Sequence, residues 1–465
     1  MRAVFLNQPS VSDPTSSTGT ASLPAVPGLS NAFWFATFNA LSYQIILGSP
    51  MVLYTKGLGA SATVLGIIAG MMPLLVIFQI PAARHIGRVG YRRFVLAGWG
   101  TRVMFIFLMT LVPLTSGFLS PDSRIALLLF LLFGFNLSRG ISSAAWLPWI
   151  TAIVPAGVRG RYLARDSACV NGGSALTLLL AGLVLGSAPS SGRFAAIFAF
   201  SAIAGTVSLT FLRRIPDAPT PAMGALNPEP VPWRAIVGHL PFRRLLWMNV
   251  AWSLAYGGMT TFTVAYLKVA GGLNENWVLF LTATAYVGGL GGLALFGSRL
   301  DHHGSRPALL LCVAAWGLIG VGWMLVSGGV WPVRWAILLP LQIAMGLGFA
   351  VFSMANTRLA MTTIPVLGRD HFFALFSVVA NLALGIAPIL WGLLIDAFGS
   401  RRLTLAGFEL NRYSVFFALT TLGFLVTLAR CRGLEEPRAG NVEVLLRDLL
   451  RQAPLPSWMR FWPRG

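Results

Sequence analysis

Four apolar segments of this chain carry polar side chains at helical spacing, and one of those side chains is an arginine. On the segment that begins near residue 30, Asn39 and Tyr43 stand four apart with Gln44 adjacent. Between 124 and 153, Asn136, Arg139 and Ser143 fall at i, i+3 and i+7. Asn249, Trp252, Tyr256 and Thr260 run i, i+3, i+7, i+11 beyond residue 245, and Gln342, Ser353 and Asn356 run i, i+11, i+14 between 333 and 363. Such spacing puts each set on one helix face. These groups can exchange hydrogen bonds with a solute, and Arg139 can hold an anion. They include no nucleophile placed beside a base, no metal-ligand cluster and no phosphate loop, so the chain reads as a non-enzyme with no metal and no cofactor.

Arg139 carries the sharpest signal. It lies near the middle of its segment, where a cation costs at least ~2.5–3.5 kcal/mol on insertion scales. Two readings stand: it meets an anionic or strongly hydrogen-bonding solute, or backbone carbonyls and Asn136 satisfy it. For Asn39, Asn249 and Gln342, hydrogen bonding between helices is an equal alternative. Arg102, two turns from the inner end of its segment, is expected to snorkel to the interface.

The segments that must position these residues are those of a membrane protein. A mean hydropathy of +0.74, with 56% hydrophobic and 10% charged residues, does not describe a soluble chain. Apolar stretches fall at 30–54, 61–83, 94–115, 124–153, 167–186 and 193–212, then at 245–267, 276–298, 307–327, 333–363, 372–395 and 413–430. About 20 residues cross the ~30 Å hydrocarbon layer, so the chain reads as all-α, with 12 transmembrane helices in two pseudo-symmetric six-helix bundles. The divisions expected are a disordered tail at 1–28, bundles at 29–214 and 245–432, a linker with a short surface helix at 215–244, and a tail at 433–465. That last tail alternates charge with Val442, Val444, Leu445, Leu446, Leu449 and Leu450, which fits either a helix lying on an anionic lipid surface or a disordered basic tail.

The net charge of +20 would suggest nucleic acid in a soluble chain. Here the basic residues sit between apolar spans, so they set orientation, and no nucleic-acid partner is expected. With the N-terminus inside, fifteen basic residues between Arg84 and Arg369 lie in inner loops. Eight lie in outer ones: Lys56, Arg124, Arg193, Lys268, Arg334, Arg401, Arg402 and Arg412. Both termini are therefore expected in the cytoplasm of a cell with a plasma (bacterial inner) membrane; the outer cluster at 401–412 fits least well. Cys169, Cys312 and Cys431 suit neither a zinc site nor a disulfide framework.

Two inner loops repeat each other. Ala83-Arg-His-Ile-Gly87-Arg88-Val-Gly90-Tyr-Arg92-Arg93 is matched by Gly297-Ser-Arg-Leu-Asp301-His-His-Gly304-Ser-Arg306, and each is followed by Trp-Gly, at Trp99 and Trp316. The only two lysines, Lys56 and Lys268, each follow a tyrosine by two residues, and Val154-Pro155 with Arg159 is echoed by Ile364-Pro365 with Arg369. With these motifs the chain resembles the major facilitator superfamily, over about 29–432. That family's loop has the form Gly-x-x-x-Asp-Arg-x-Gly-Arg-Arg. The second copy keeps Gly297, Asp301, Gly304 and Arg306; the first keeps Arg88, Gly90, Arg92 and Arg93 but has Gly87 in place of the acid.

The resemblance implies that the first, fourth, seventh and tenth spans line a central cavity, so the polar stripes become candidate substrate contacts. It also implies that Asp301 latches an inner gate, with Arg306, Arg358 and Arg369 as candidate partners. The expected function is a secondary active or facilitative transporter, a monomer in the lipid bilayer, moving a small polar or anionic solute by alternating access. A multidrug or amphiphile exporter of the same fold is the alternative, kept open by Phe33, Trp34, Phe35 and Phe38. A non-transporting relative that handles pigment or lipid, or assists assembly, is the alternative of another class. Acids fall at span ends, Asp166 and Asp396 among them, which favours a facilitator or exchanger over a proton symporter.

Overall fold

The computed structural model describes residues 28–155, 159–219, 238–297, 299–363, 369–405, 407–436 and 440–451. Most of the expected tail at 1–28 and of the linker at 215–244 lies outside these residues. The first half contains α1 (Ser30–Leu47), α2 (Ser49–Gly57), α3 (Ala62–Leu75), α4 (Gln79–Ala83), α5 (Ile86–Val89), α6 (Tyr91–Leu111), α7 (Pro121–Ile153), α8 (Arg159–Leu185) and α9 (Ser191–Arg213). The second contains α10 (Leu240–Tyr256), α11 (Met259–Val269), α12 (Glu275–Phe296), α13 (Arg299–His303), α14 (Ser305–Ser327), α15 (Trp335–Thr363) and α16 (Arg369–Phe398). A hairpin of β1 (Leu403–Leu405) and β2 (Phe408–Leu410), then α17 (Arg412–Arg432) and α18 (Val442–Arg451), complete it.

Ten spans among the described residues are long and apolar enough to cross a membrane. The first and seventh expected segments differ from a single straight helix in the same way: each is broken at glycine. α1 gives way to α2 at Gly48, whose backbone is extended and where a Cβ would sit 2.3 Å from the Gln44 carbonyl oxygen. α10 gives way to α11 at Gly257-Gly258, with Gly258 left-handed at φ +87°. A residue with a side chain is strained in that conformation, so glycine permits the break and the apolar pattern alone does not reveal it.

Gly28 abuts Arg214, Arg92 donates to the Arg213 carbonyl, and Arg244 donates to the Gly433 carbonyl at 3.2 Å. The start of α1 and the ends of α9 and α17 therefore share one end of the molecule, called here the near end. Within the first half, α1 packs on α8 and α9, and α6 on α7 and α9; in the second, α14 packs on α15 and α17. Three tryptophans, Trp149, Trp316 and Trp323, are fully buried anchors of these packings.

The halves meet chiefly along α3 with α16 and α8 with α12. At the far end the approach of α3 to α16 is backbone to backbone. A Cβ on Gly66 would lie 2.2 Å from the Pro388 carbonyl oxygen, and one on Gly392 would lie 2.4 Å from that of Ala62. Asp396 then seals the contact. Its carboxylate accepts from the Ala62 and Thr63 amides at 2.9 and 2.7 Å and from the Thr63 hydroxyl at 2.6 Å. The acid thus caps the positive N-terminus of a helix belonging to the other half.

Gly66→Ala should force α3 and α16 apart at the far end, since overpacking of this kind costs about 1–3 kcal/mol. Pulsed EPR distances between nitroxides at positions 57 and 400 should lengthen or broaden; an unchanged distribution would show that the seam absorbs a methyl group.

Candidate functional site

On the first half, the arginines of α6 and α7 have opposite fates. Arg102 is buried, and its Nη2 donates to Asn39 Oδ1 at 3.2 Å; Trp99 Nε1 donates to the same oxygen at 3.3 Å. The guanidinium lies 4.8 Å from the Trp99 ring centroid and 5.0 Å from that of Phe135. Arg102 therefore does not snorkel to the interface, because the bundle itself supplies an acceptor and two π-faces. Asn39 is spent in holding it.

Arg139 has no hydrogen bond or ion pair among the described residues, and its side chain is half-buried. Asn136 does not satisfy it: Asn136 Nδ2 donates to the Leu132 carbonyl at 2.9 Å, and its Oδ1 is buried without a partner. Ser143 is likewise occupied locally, donating to the Gly140 carbonyl at 2.8 Å. Tyr43 and Arg102 lie within electrostatic reach of Arg139, and Tyr43 stands beside Ser174 within reach of Asp166 as well. Asp166 proves not to be at a helix end. α8 begins at Arg159, two turns earlier, which carries this carboxylate inward with Oδ1 buried and unpaired.

The bridge to the second half is a tyrosine that sequence reasoning passed over. Tyr286, on α12, donates to Gln44 Oε1 at 2.8 Å, so predicted Gln44 serves the junction of the halves. Tyr286 also lies within electrostatic reach of both Tyr43 and Tyr256. Three tyrosines from α1, α12 and α10 thus interact across the seam, and of these Tyr43 is the one within electrostatic reach of Arg139. The available signal was a lone tyrosine in the 276–298 span, a span outside the four that the resemblance singles out.

Asn249 and Asn356 are brought together, but they close on each other. Each amide donates to the other's oxygen, at 3.0 and 2.7 Å, and Asn249 Nδ2 also meets the Leu245 carbonyl at 3.0 Å. This pair joins α10 to α15, the helix-bonding reading of these residues. Trp252 is buried face-on against Phe352 at a centroid distance of 3.5 Å and edge-on to Trp316 at 5.7 Å, a core position. Tyr256 stacks on half-exposed Phe349 at 5.1 Å and so presents an aromatic wall. Gln342 is buried and makes no hydrogen bond among the described residues. The aromatic residues of α1 disperse among neighbours: Phe33 against Tyr162, Phe35 against Trp99 and Trp146, and Trp34 and Phe38 against Phe211.

The two repeated loops share one backbone device. Gly90 and Gly304 precede α6 and α14 with φ of +87° and +84°, while Gly297 ends α12. Their contacts differ. Arg88 and Arg93 are exposed, and Arg92 reaches the Arg213 carbonyl. In the second loop, Glu436 from the tail accepts from the Ser305 and Arg306 amides, at 2.9 and 2.7 Å, and Arg306 Nη2 donates to the Arg432 carbonyl at 2.9 Å. Asp448 of α18 pairs with Arg299 at 3.1 Å and with His303 at 3.4 Å, and Leu445 is buried beneath it. α18 therefore docks one face on protein, with Val444 and Leu446 left exposed. The Asp301 side chain lies outside the described residues, as does the tail beyond 451.

Comparison with known proteins bears on this arrangement. The family model described as Major Facilitator Superfamily matches residues 32–333. Among solved structures, the nucleoside transporter NupG superposes with a TM-score of 0.62 at 13% identity, covering 88% of this chain and 98% of that one. The xylose transporter XylE from E. coli, in a partially occluded inward-open conformation, gives 0.64 at 12%, covering 88% and 100%. A POT family transporter in complex with 5-aminolevulinic acid gives 0.60 at 13%, covering 88% and 97%. At these identities the likeness is one of fold. No curated protein sequence matches the chain.

Two outcomes follow from these contacts. Asn249→Leu should destabilise the protein by about 1–2 kcal/mol in thermal unfolding by stranding Asn356, and adding Asn356→Leu should recover part of it; strict additivity would deny the pairing. Glu436→Gln should raise amide hydrogen exchange across 299–306 and 442–451 roughly tenfold or more, as loss of hydrogen bonds to a charged group implies. Unchanged exchange would leave Leu445 and the Asp448 pairs as the anchors of the tail.

Proposed function

The chain belongs to the major facilitator superfamily and is a membrane transporter, not an enzyme, and on that premise we propose that its cargo is a small polar or anionic solute carried by alternating access of the two halves. The observation that supports this reading is Arg139: a half-buried guanidinium without a hydrogen bond or ion pair among the described residues, within electrostatic reach of Tyr43. A cation held within a span invites an anion, because the alternative is an unrelieved desolvation cost. The named cargoes of the similar structures, a nucleoside, xylose and 5-aminolevulinic acid, are small polar solutes and are in keeping with it.

The far end is sealed by Gly66, Gly392 and Asp396, so solute reaches Arg139 from the near end, as in the inward-open relative. The charge bias of the loops puts that end, with both termini, in the cytoplasm of a cell bounded by a plasma or bacterial inner membrane. Release of the three Asp396 bonds and parting of α3 from α16 would open the other side, with the monomer as the working unit. The aromatic wall of Tyr256 and Phe349 favours the second reading, an amphiphile with a planar apolar part.

Thermal stabilisation of the purified protein by a panel of sugars, organic anions and amphiphilic drugs separates these readings. Organic anions should stabilise it, and Arg139→Ala should leave the unliganded melting point unchanged while weakening the anion about 10- to 100-fold, the worth of a charge-assisted hydrogen bond. An unaltered shift in Arg139→Ala would remove this residue from the site.

A further inference from the structure

The far end of the second half holds a cavity that the transport reading does not use. About 430 Å³ lies between the end of α11, the loop joining α14 to α15, and the β-hairpin that precedes α17. Such a volume falls within the range of small-molecule sites, roughly 300–1,000 Å³. Its walls mix aromatic surface, with Trp331 40% exposed, and three arginines, Arg401, Arg402 and Arg412.

Three neutral side chains of the wall are already occupied. Tyr266 donates to the Val326 carbonyl at 3.0 Å, and Ser327 donates to that of Met324 at 3.1 Å. Asn411 donates to the Ser327 carbonyl at 2.8 Å while its oxygen caps α17 through the Tyr413 and Ser414 amides. Arg402 is matched by Glu409 at 3.2 Å, the one carboxylate among the described lining residues. Arg401 and Arg412 have no carboxylate partner or hydrogen bond among the described residues; Arg412 only overlies the Tyr413 ring at 5.2 Å. Lys56 from the first half lies within electrostatic reach of both Arg412 and Asp396, and that carboxylate is already bound by the Ala62 and Thr63 amides.

These arginines are also the residues that sit worst in the topology of the chain. Basic residues in outer loops oppose the bias that orients membrane proteins, and three of them fall within twelve positions, 401–412. Guanidinium forks suit carboxylate and phosphate oxygens two at a time, and a planar apolar body can pack against an indole. We propose that this cavity is an anion-binding site, taking a carboxylate or phosphate ester whose charged group meets Arg401 and Arg412 and whose apolar body lies against Trp331. Arg401 follows Asp396 by five residues, so the occupied site adjoins the far-end seal.

The charged group can belong to a free solute or to a lipid headgroup at the membrane surface, and two arms distinguish them. Calorimetric titration of the detergent-purified protein with phenyl phosphate reads the soluble source. Melting in nanodiscs of phosphatidylglycerol against phosphatidylcholine reads the lipid source. Saturable phenyl phosphate binding, weakened tenfold or more in Arg401→Gln and in Arg401→Gln/Arg412→Gln and unchanged in Arg84→Gln at the exposed near end, supports the site and a soluble ligand. Stabilisation by phosphatidylglycerol alone, lost in the double variant, supports the site and assigns it to a headgroup. The proposal falls if neither probe acts on the wild type, if the double variant keeps the wild-type response, or if Arg84→Gln abolishes it. Should the double variant fail to fold, Arg401→Gln alone carries the comparison.

Discussion

Within hydrocarbon there is no water to satisfy a polar group, so each one must find a partner inside the protein or face a water-filled space. Most of this structure can be read as compliance. Asn249 and Asn356 bond each other, Arg102 is solvated by Asn39 and two aromatic rings, and Tyr286 reaches across to Gln44. Threonines and serines return their hydroxyls to carbonyls one turn back, as Thr177 does to Gly173 and Thr282 to Val278. Against that background several buried polar atoms stay without a partner among the described residues, Asn136 Oδ1, Ser174 Oγ and Asp166 Oδ1 among them. The Arg139 guanidinium makes no hydrogen bond or ion pair there either, and Tyr43 lies within electrostatic reach of both Arg139 and Asp166.

The two ends of the molecule are held by different means. At the far end the halves touch through backbone at Gly66 and Gly392, and a carboxylate from one half caps a helix of the other. Three charged contacts at the near end lie within a half: Arg92 to the Arg213 carbonyl, and Glu436 and Asp448 to the loop before α14. Both seals use an acid at a helix N-terminus, where the amides of the first turn lack partners. Only the far-end seal ties half to half, which is why it bears on access and the tail contacts bear on the shape of one bundle.

Legibility varied with the range of the interaction. Hydropathy and loop motifs located the spans, the duplicated loops and the family, since these depend on composition and local spacing. The glycine turns at Gly90 and Gly304 do adopt one conformation, as their shared pattern implies. Helix breaks at Gly48 and Gly257-Gly258 went unseen because an apolar run looks the same whether bent or straight. Asp166 was placed at a helix end because the apolar pattern begins later than the helix. Asn249 and Asn356, separated by 107 residues, gave no sign that each was the other's partner. The same holds for Glu436, whose helix-capping role depends on a tail folding back on the loop at 305–306.

What this sequence determined unaided is a duplicated, membrane-embedded helical chain of the transporter family and the presence of a costly arginine in a span. Those conclusions rest on local quantities: hydropathy over some twenty residues, the period of a helix, and charge between spans. Tertiary structure alone decided which polar residues were already spoken for. Satisfaction of a hydrogen bond is a property of pairs far apart in sequence, and it separated Asn249 and Arg102, which have partners, from Arg139, which has none among the described residues. It also turned a run of arginines that fits the charge bias poorly into the wall of a cavity, because charge along a chain becomes a site only when folding sets it around a space.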